Sequence, residues 1–391
     1  MEHECAALLV ALLLPAAHAV SWAQSTQPTG PPATPPAAID LPAPVEVPIA
    51  LEANLPIVEA RVNGQGPFRF GIETGAGFVV ISPDLATKLS LERRGGPDDA
   101  PEYQVDRIDI GGASFRQVPV SALRVAQGGI DGVLGLPLYR DLLLTIDYPK
   151  RRARFERGNL PAPDGETVLS LTHVGPFWGL PIIVAGAKQW AVLDTRSTGA
   201  FGFTPESAAP LKFDGELRVV GRARGAAIPE TEVKAGRLAG NIEIGRFRFP
   251  TPTITVRALP PGFPTEAIVG ARVLSQFTVT LDQRNARLRL VREGPDTVTL
   301  EEPASRPAVR PGDYAGKYGV REIRLEPDGR LVLQREGGPP LEMVPAGPDA
   351  FTLKDVPQAR IQFMRDTAGA VIGVRILNRD GQWETVARDR R

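Results

Sequence analysis

One order of segments occurs twice in this chain, and that repetition constrains its fold more than any other feature. In the first copy an apolar β-type run over 57–62 turns at Asn63-Gly64 and continues through Phe68-Arg69-Phe70. It leads into Glu73-Thr74-Gly75-Ala76 and then Ser82-Pro83. In the second, Pro181-Ile182-Ile183-Val184 and Trp190-Ala191-Val192-Leu193 lead into Asp194-Thr195 and then Thr204-Pro205. Each copy ends on two apolar residues and a glycine, Val133-Leu134-Gly135 and Ile268-Val269-Gly270. An aspartate follows twelve places after each glycine, at Asp147 and Asp282. Arginines stand five and seven places past each aspartate: Arg152 and Arg154, then Arg287 and Arg289. Self-similarity in register over so many positions means one lobe used twice.

The lobes are β-rich. Asn63-Gly64 between two apolar runs signals a hairpin, and Ser82 before Pro83 signals the N-terminus of a short helix over 83–89. Further strands are expected at 105–110, 118–123 and 142–147. With 40 glycines and 39 prolines the chain favours short strands and turns over long helices. A third region after the Pro-bearing stretch 296–308 shows hairpin chemistry at Pro327-Asp328-Gly329 and strands at 350–353, 360–364, 371–377 and 384–387. Its aromatics Tyr314, Tyr318, Phe351, Phe363 and Trp383 are its expected core.

The amino terminus predicts export to the periplasm or the exterior. An apolar run over 6–14 is followed by small residues that offer cleavage after Ala19 or Ala23, the pattern of a signal peptide. That run is too short to span a bilayer comfortably, so no stable membrane insertion is expected after cleavage. The resulting division is a signal peptide 1–23, a Pro-rich disordered tether 24–44, lobe 1 at 45–158 and lobe 2 at 159–295. A linker 296–308 and a small antiparallel β domain 309–391 complete it.

Loss of the signal removes several chemistries. The single cysteine, Cys5, lies ahead of the apolar run, so the mature chain has no thiol nucleophile, disulfide or Cys-bound metal. His173 alone survives of three histidines, and at a strand end it reads as a solvated or packed side chain. Lys plus Arg and Asp plus Glu balance at 45 each, which provides no global field for nucleic acid. Carboxylates remain for acid–base work, and no metal or organic cofactor is implied.

Residues 46–293 resemble a pepsin-like aspartic protease, a tandem of two retropepsin-like lobes: an apolar strand, an acid followed by Thr-Gly-Ala, Ser-Pro before a helix, then an apolar-apolar-Gly segment. The resemblance implies an all-β bilobal fold and an inter-lobe cleft for a peptide or protein substrate. It implies a monomer, since both lobes lie in one chain. It pairs Glu73 with Asp194 as two carboxylates that share a proton and activate a water against a peptide bond. Thr74 and Thr195 would brace the two acid loops, Gly75 would allow close backbone approach, and Gly135 and Gly270 would support the loops from behind. Asp147 and Asp282 correspond to turn formers away from the centre.

Three departures stand out. Glu73 replaces the family's aspartate and extends its carboxylate by one methylene. Arg196 occupies the place of a glycine, in a loop one residue longer than its lobe 1 counterpart. Either its guanidinium lies beside the acids and lowers their pKa values, or the loop bulges and it points outward. The stretch from Glu73 to Ile110 is also short, leaving room in lobe 1 for only a charged loop at 92–99, whereas lobe 2 has length for a hairpin over 219–233. The expected activity is that of an exported aspartic endopeptidase; the alternative is an inactive, peptide- or protein-binding relative.

Overall fold

The computed structural model describes Pro36 and residues 38–389, apart from 53, 99, 124–128, 226–227, 260–264, 301–309, 348, 366–369 and 378–382. The expected signal peptide with Cys5, most of the tether and most of the linker lie outside the described residues. The fold is all-β, as expected, and it divides into two compact units, one ending at Leu300 and one running from there to the C-terminus.

In lobe 1 the strands Leu55–Val62 and Gln65–Ile72 form the expected hairpin. Its turn residues Asn63 and Gly64 both have positive φ, at 50° and 77°, which is the backbone that Asn-Gly adopts at low cost. Strand Gly132–Leu134 then inserts parallel to Gln65–Ile72 and antiparallel to Val79–Ile81. It thereby lies between the strand that enters the acid loop and the strand that leaves it. Helix Pro83–Lys88 begins as its chemistry requires: Ser82 accepts a hydrogen bond from the Leu85 N–H, and Pro83 takes the first turn.

Lobe 2 repeats this arrangement. Hairpin Phe177–Val184 and Ala187–Asp194 enters its acid loop, and Phe201–Phe203 leaves it. Strand Ala267–Gly270 inserts parallel to the first and antiparallel to the second. Helix Pro205–Ala208 follows, capped by Thr204 and Ser207 reciprocally.

A six-stranded sheet joins the lobes. Leu143–Asp147 of lobe 1 pairs antiparallel with Thr278–Asp282 of lobe 2. Thr145 and Thr280 face each other in that register with their hydroxyls 2.9 Å apart. Both stand ten residues past their glycine, so equivalent positions of the repeat meet on a pseudo-twofold axis. Most buried apolar residues of the two lobes form one continuous core, with smaller clusters around Leu55 and Val133 and around Leu143 and Leu160. Asp147 and Asp282 end these strands as turn formers, accepting from the Lys150 N–H and the Asn285 N–H.

Two segments differ from expectation. Ala38–Asp40, placed in the tether, forms a strand along Ser114–Arg116. Residues 296–300, placed in the linker, pack on lobe 2: Val298 is fully buried, and its N–H donates to the Arg248 carbonyl. Apolar side chains in both segments find core surface, which outweighs their polar, Pro-rich neighbours.

The C-terminal unit is an eight-stranded antiparallel meander, each strand paired with the next in sequence. It includes a strand over Pro340–Gly347 that the pattern did not suggest. Tyr314, Tyr318, Phe351 and Phe363 form its core, but Trp383 does not join it. That side chain lies half-buried on the last strand, under the Arg375 guanidinium at 5.0 Å.

Candidate active site

Each acid stands where its hairpin strand ends against the inserted strand. The Glu73 N–H donates to the Leu134 carbonyl at 3.1 Å, and Asp194 pairs with Gly270 across the parallel ladder. Both carboxylates are buried, at 4% exposure each. Beside them the two threonines interlock. The Thr74 hydroxyl donates to the Leu193 carbonyl at 2.9 Å and accepts from the Thr195 N–H at 3.2 Å. Reciprocally, the Thr195 hydroxyl donates to the Ile72 carbonyl at 2.9 Å and accepts from the Thr74 N–H at 3.1 Å. Four buried bonds across the axis fix the spacing of the loops that carry Glu73 and Asp194.

The glycines behind the loops leave no space for a side chain. A Cβ on Gly135 would lie 2.1 Å from the Phe78 carbonyl oxygen, and one on Gly270 would lie 2.4 Å from that of Gly199. These contacts are to the backbone of the two acid loops. The Leu136 N–H to the Ala76 carbonyl and the Gly270 N–H to the Ala200 carbonyl complete the support, at 2.9 and 2.8 Å.

Gly75 and Arg196 occupy equivalent places, two residues past their acids, and explain each other. A Cβ on Gly75 would come within 2.9 Å of Asp194 Oδ1. The same position in lobe 2 does carry a side chain, and it points inward, which settles the two orientations open from sequence. Arg196 Nη1 donates to Glu73 Oε2 at 3.1 Å, with both side chains under a tenth exposed. The Arg196 main-chain N–H donates to Asp194 Oδ1 at 2.9 Å, joined by the Ser197 N–H at 3.2 Å. One residue therefore touches both acids. Arg196 Nη2 is buried with no hydrogen-bond partner among the described residues.

The guanidinium does lower the pKa of Asp194, as expected, but the net direction is upward and requires correction. Burial pushes the Asp194 carboxyl up, and that outweighs the lowering by the Arg196 main chain and guanidinium, Ser197 and Arg257. Desolvation dominates because the group is enclosed on every side, while its nearest cation is shared with Glu73.

Three further residues at this centre escaped the sequence reading. The Tyr139 hydroxyl, on the turn after Gly135, donates to the Glu73 carbonyl at 3.0 Å. The Tyr148 hydroxyl lies within the field of Asp194, buried and with no hydrogen-bond partner among the described residues. Burial raises both phenols, so both stay neutral. Arg257, buried at a strand end, acts on Asp194; its own pKa falls to about 10 through burial, which leaves it a cation at neutral pH. For the tyrosines the available signal was their fixed distance from the supporting Gly135 and from Asp147. For Arg257 it was a charge inside the apolar run 253–258.

The hairpins beside the centre differ as the lengths implied. Lobe 1 has only the short strand Arg93–Gly95 against Glu102–Ile110, while lobe 2 extends Arg218–Gly225 and Ile228–Arg237. His173 is exposed and stacks on Trp178 at 3.9 Å, away from these acids in role and contact. Among the described residues no cluster of His, Cys, Asp or Glu has the form of a metal site. Nor is any helix there long and apolar enough to cross a membrane.

Residues 58–138, the greater part of lobe 1, match the aspartyl protease family model. No curated protein matches the chain significantly in sequence. Among solved structures, an aspartic proteinase from Irpex lacteus is similar at 15% identity and a TM-score of 0.43, over 64% of this chain and 97% of that one. A retropepsin-like aspartic protease from Rickettsia conorii is similar at 19% identity and a TM-score of 0.24, over 31% of this chain and 94% of that one.

Proposed function

We propose that this chain, an aspartyl protease relative by its first lobe, is an exported peptide-binding protein whose cleft no longer hydrolyses its ligand. The Arg196–Glu73 ion pair carries this reading. Hydrolysis by such a fold needs two carboxylates that share one proton around a water. Here one carboxylate, that of Glu73, is held by a buried guanidinium in place of a proton shared with its partner. Binding chemistry remains. Arg196 Nη2 is a buried donor without a hydrogen-bond partner among the described residues, suited to a peptide carbonyl. The interlocked threonines keep the cleft floor rigid, and rigidity limits the entropy lost on binding. Export rests on the amino-terminal pattern alone, and N-terminal sequencing of the mature protein in a fractionated host tests it.

The second reading, an endopeptidase, is favoured by one observation. Asp194, its carboxyl pushed toward the protonated form, remains an available acid, and Glu73 provides a second carboxylate on the facing loop. A mixed peptide library incubated between about pH 3 and 7 separates the two readings. Binding without cleavage by the wild type supports the first. Cleavage that disappears on Asp194→Asn overturns it in favour of the second. If the ion pair is what blocks hydrolysis, the double substitution Glu73→Asp with Arg196→Gly introduces cleavage.

A further inference from the structure

The peptide-binding reading leaves open what the cleft selects, and lobe 2 contains a cavity that bears on it. A cavity of about 590 Å³ lies between helix Pro205–Ala208, the segment that follows it and strand Ile228–Arg237. Ala208, Leu211, Leu217 and Val256 supply an apolar lining, and three charged residues stand among them: Arg257, Lys234 and Glu232. The balance is one net positive charge. Arg257 is 93% buried and remains cationic at neutral pH. It is also near enough to Asp194 to act on that carboxyl, which places this wall beside the central acid.

The repeat shows how unusual this cation is. The Arg257 N–H donates to the Phe203 carbonyl, and the Leu123 N–H donates to the Ile81 carbonyl in the same way. Leu123 is therefore the lobe 1 counterpart, and it packs in an apolar cluster with residues such as Leu55 and Ile130. One fold position is apolar on one side of the pseudo-twofold axis and cationic on the other. A ligand carboxylate entering this cavity would meet that guanidinium in a charge-assisted contact, alongside the Lys234 ammonium.

We propose that the lobe 2 cavity receives an acidic side chain of the bound peptide, with Arg257 and Lys234 as its counter-charges; this rests on the peptide-binding reading above. The apolar walls take the methylenes of that side chain, and Glu232 on the same strand as Lys234 disfavours a second acid. The lobe 1 counterpart, Leu123, offers an acid no counter-charge. Peptide orientation follows, because only one direction puts the acid at lobe 2.

The test is fluorescence anisotropy with pairs of labelled peptides that differ only in Glu against Gln, scanned over every position of an octapeptide. One position is expected where Glu binds about tenfold to a hundredfold tighter than Gln, as for a hydrogen bond to a charged group. That ratio should fall toward one in Arg257→Leu, survive in part in Arg257→Lys, and shrink in Lys234→Met. Equal binding of Glu and Gln peptides by the wild type at every position overturns the pocket assignment and leaves peptide binding standing. A preference that persists in Arg257→Leu, with a circular dichroism spectrum matching the wild type, also overturns it. Failure of all peptides to bind overturns the peptide-binding reading, and this one with it.

Discussion

Lobe 1 and lobe 2 are the same fold element by element, yet they treat their acids differently. In lobe 1 the residue two places past the acid is Gly75, and its missing side chain leaves Asp194 Oδ1 free of a clash. In lobe 2 the equivalent residue is Arg196, and its side chain fills the corresponding space and holds Glu73. The longer acid and the added arginine thus stand opposite each other across the axis. What was conserved between the lobes is the scaffold: threonine interlock, inserted strand, supporting glycine. What diverged is the reach of the acid, at Glu73, and charge, at Arg196 and Arg257. Scaffold and chemistry separate because the first rests on backbone and on the two threonine hydroxyls that bond it, and the second on the charged tips of side chains.

The sharpest way to break the comparison is to remove one member of the ion pair. Glu73→Ala leaves a buried guanidinium unpaired and should cost about 3–5 kcal/mol in urea unfolding. The combined Glu73→Leu and Arg196→Met should recover most of that loss, since well-packed apolar residues replace buried pairs at little cost. Next in size, Gly135→Ala and Gly270→Ala each push a Cβ into loop backbone and should cost about 1–3 kcal/mol or more. Similar losses in the two lobes support equivalent roles, and a large inequality breaks the pseudo-symmetry. Thr74→Val and Thr195→Val remove matched hydroxyls and strand a buried N–H and carbonyl, at about 1–3 kcal/mol each.

The smallest effect is a pH dependence set by Asp194. The Asp194 carboxyl is raised above its ordinary 3.8, so the folded state binds its proton more tightly than the unfolded state does. The stability this provides is fully present below about 3.8 and is lost as pH rises through the folded value. Thermal melts of the wild type against Asp194→Asn should therefore diverge as pH rises from 3.5 to 7, the variant gaining in relative stability. A constant difference across that range sinks the assignment of Asp194 as a buried, proton-retaining acid.

Much of the architecture was legible before any coordinates. Asn63-Gly64 and Ser82-Pro83 are local signals, decided by backbone preferences within four residues, and both formed as their chemistry dictates. The offset between Gly135 and Gly270 carried through to the pairing of Thr145 with Thr280. The misassigned edges were 38–40 and 296–300, where neighbours rich in proline and charge masked residues that a distant surface buries.

The sequence by itself determined the duplicated β lobe, the two acid loops and the residues at which lobe 2 departs from lobe 1, because repeats and turns are encoded at short range. Packing in three dimensions turns Arg196 inward to Glu73, raises Asp194 by burial against its cations, and brings Arg257 and Tyr148 to the same centre. Those outcomes depend on which groups lose water together, and loss of water is a property of the packed molecule that no stretch of chain contains on its own.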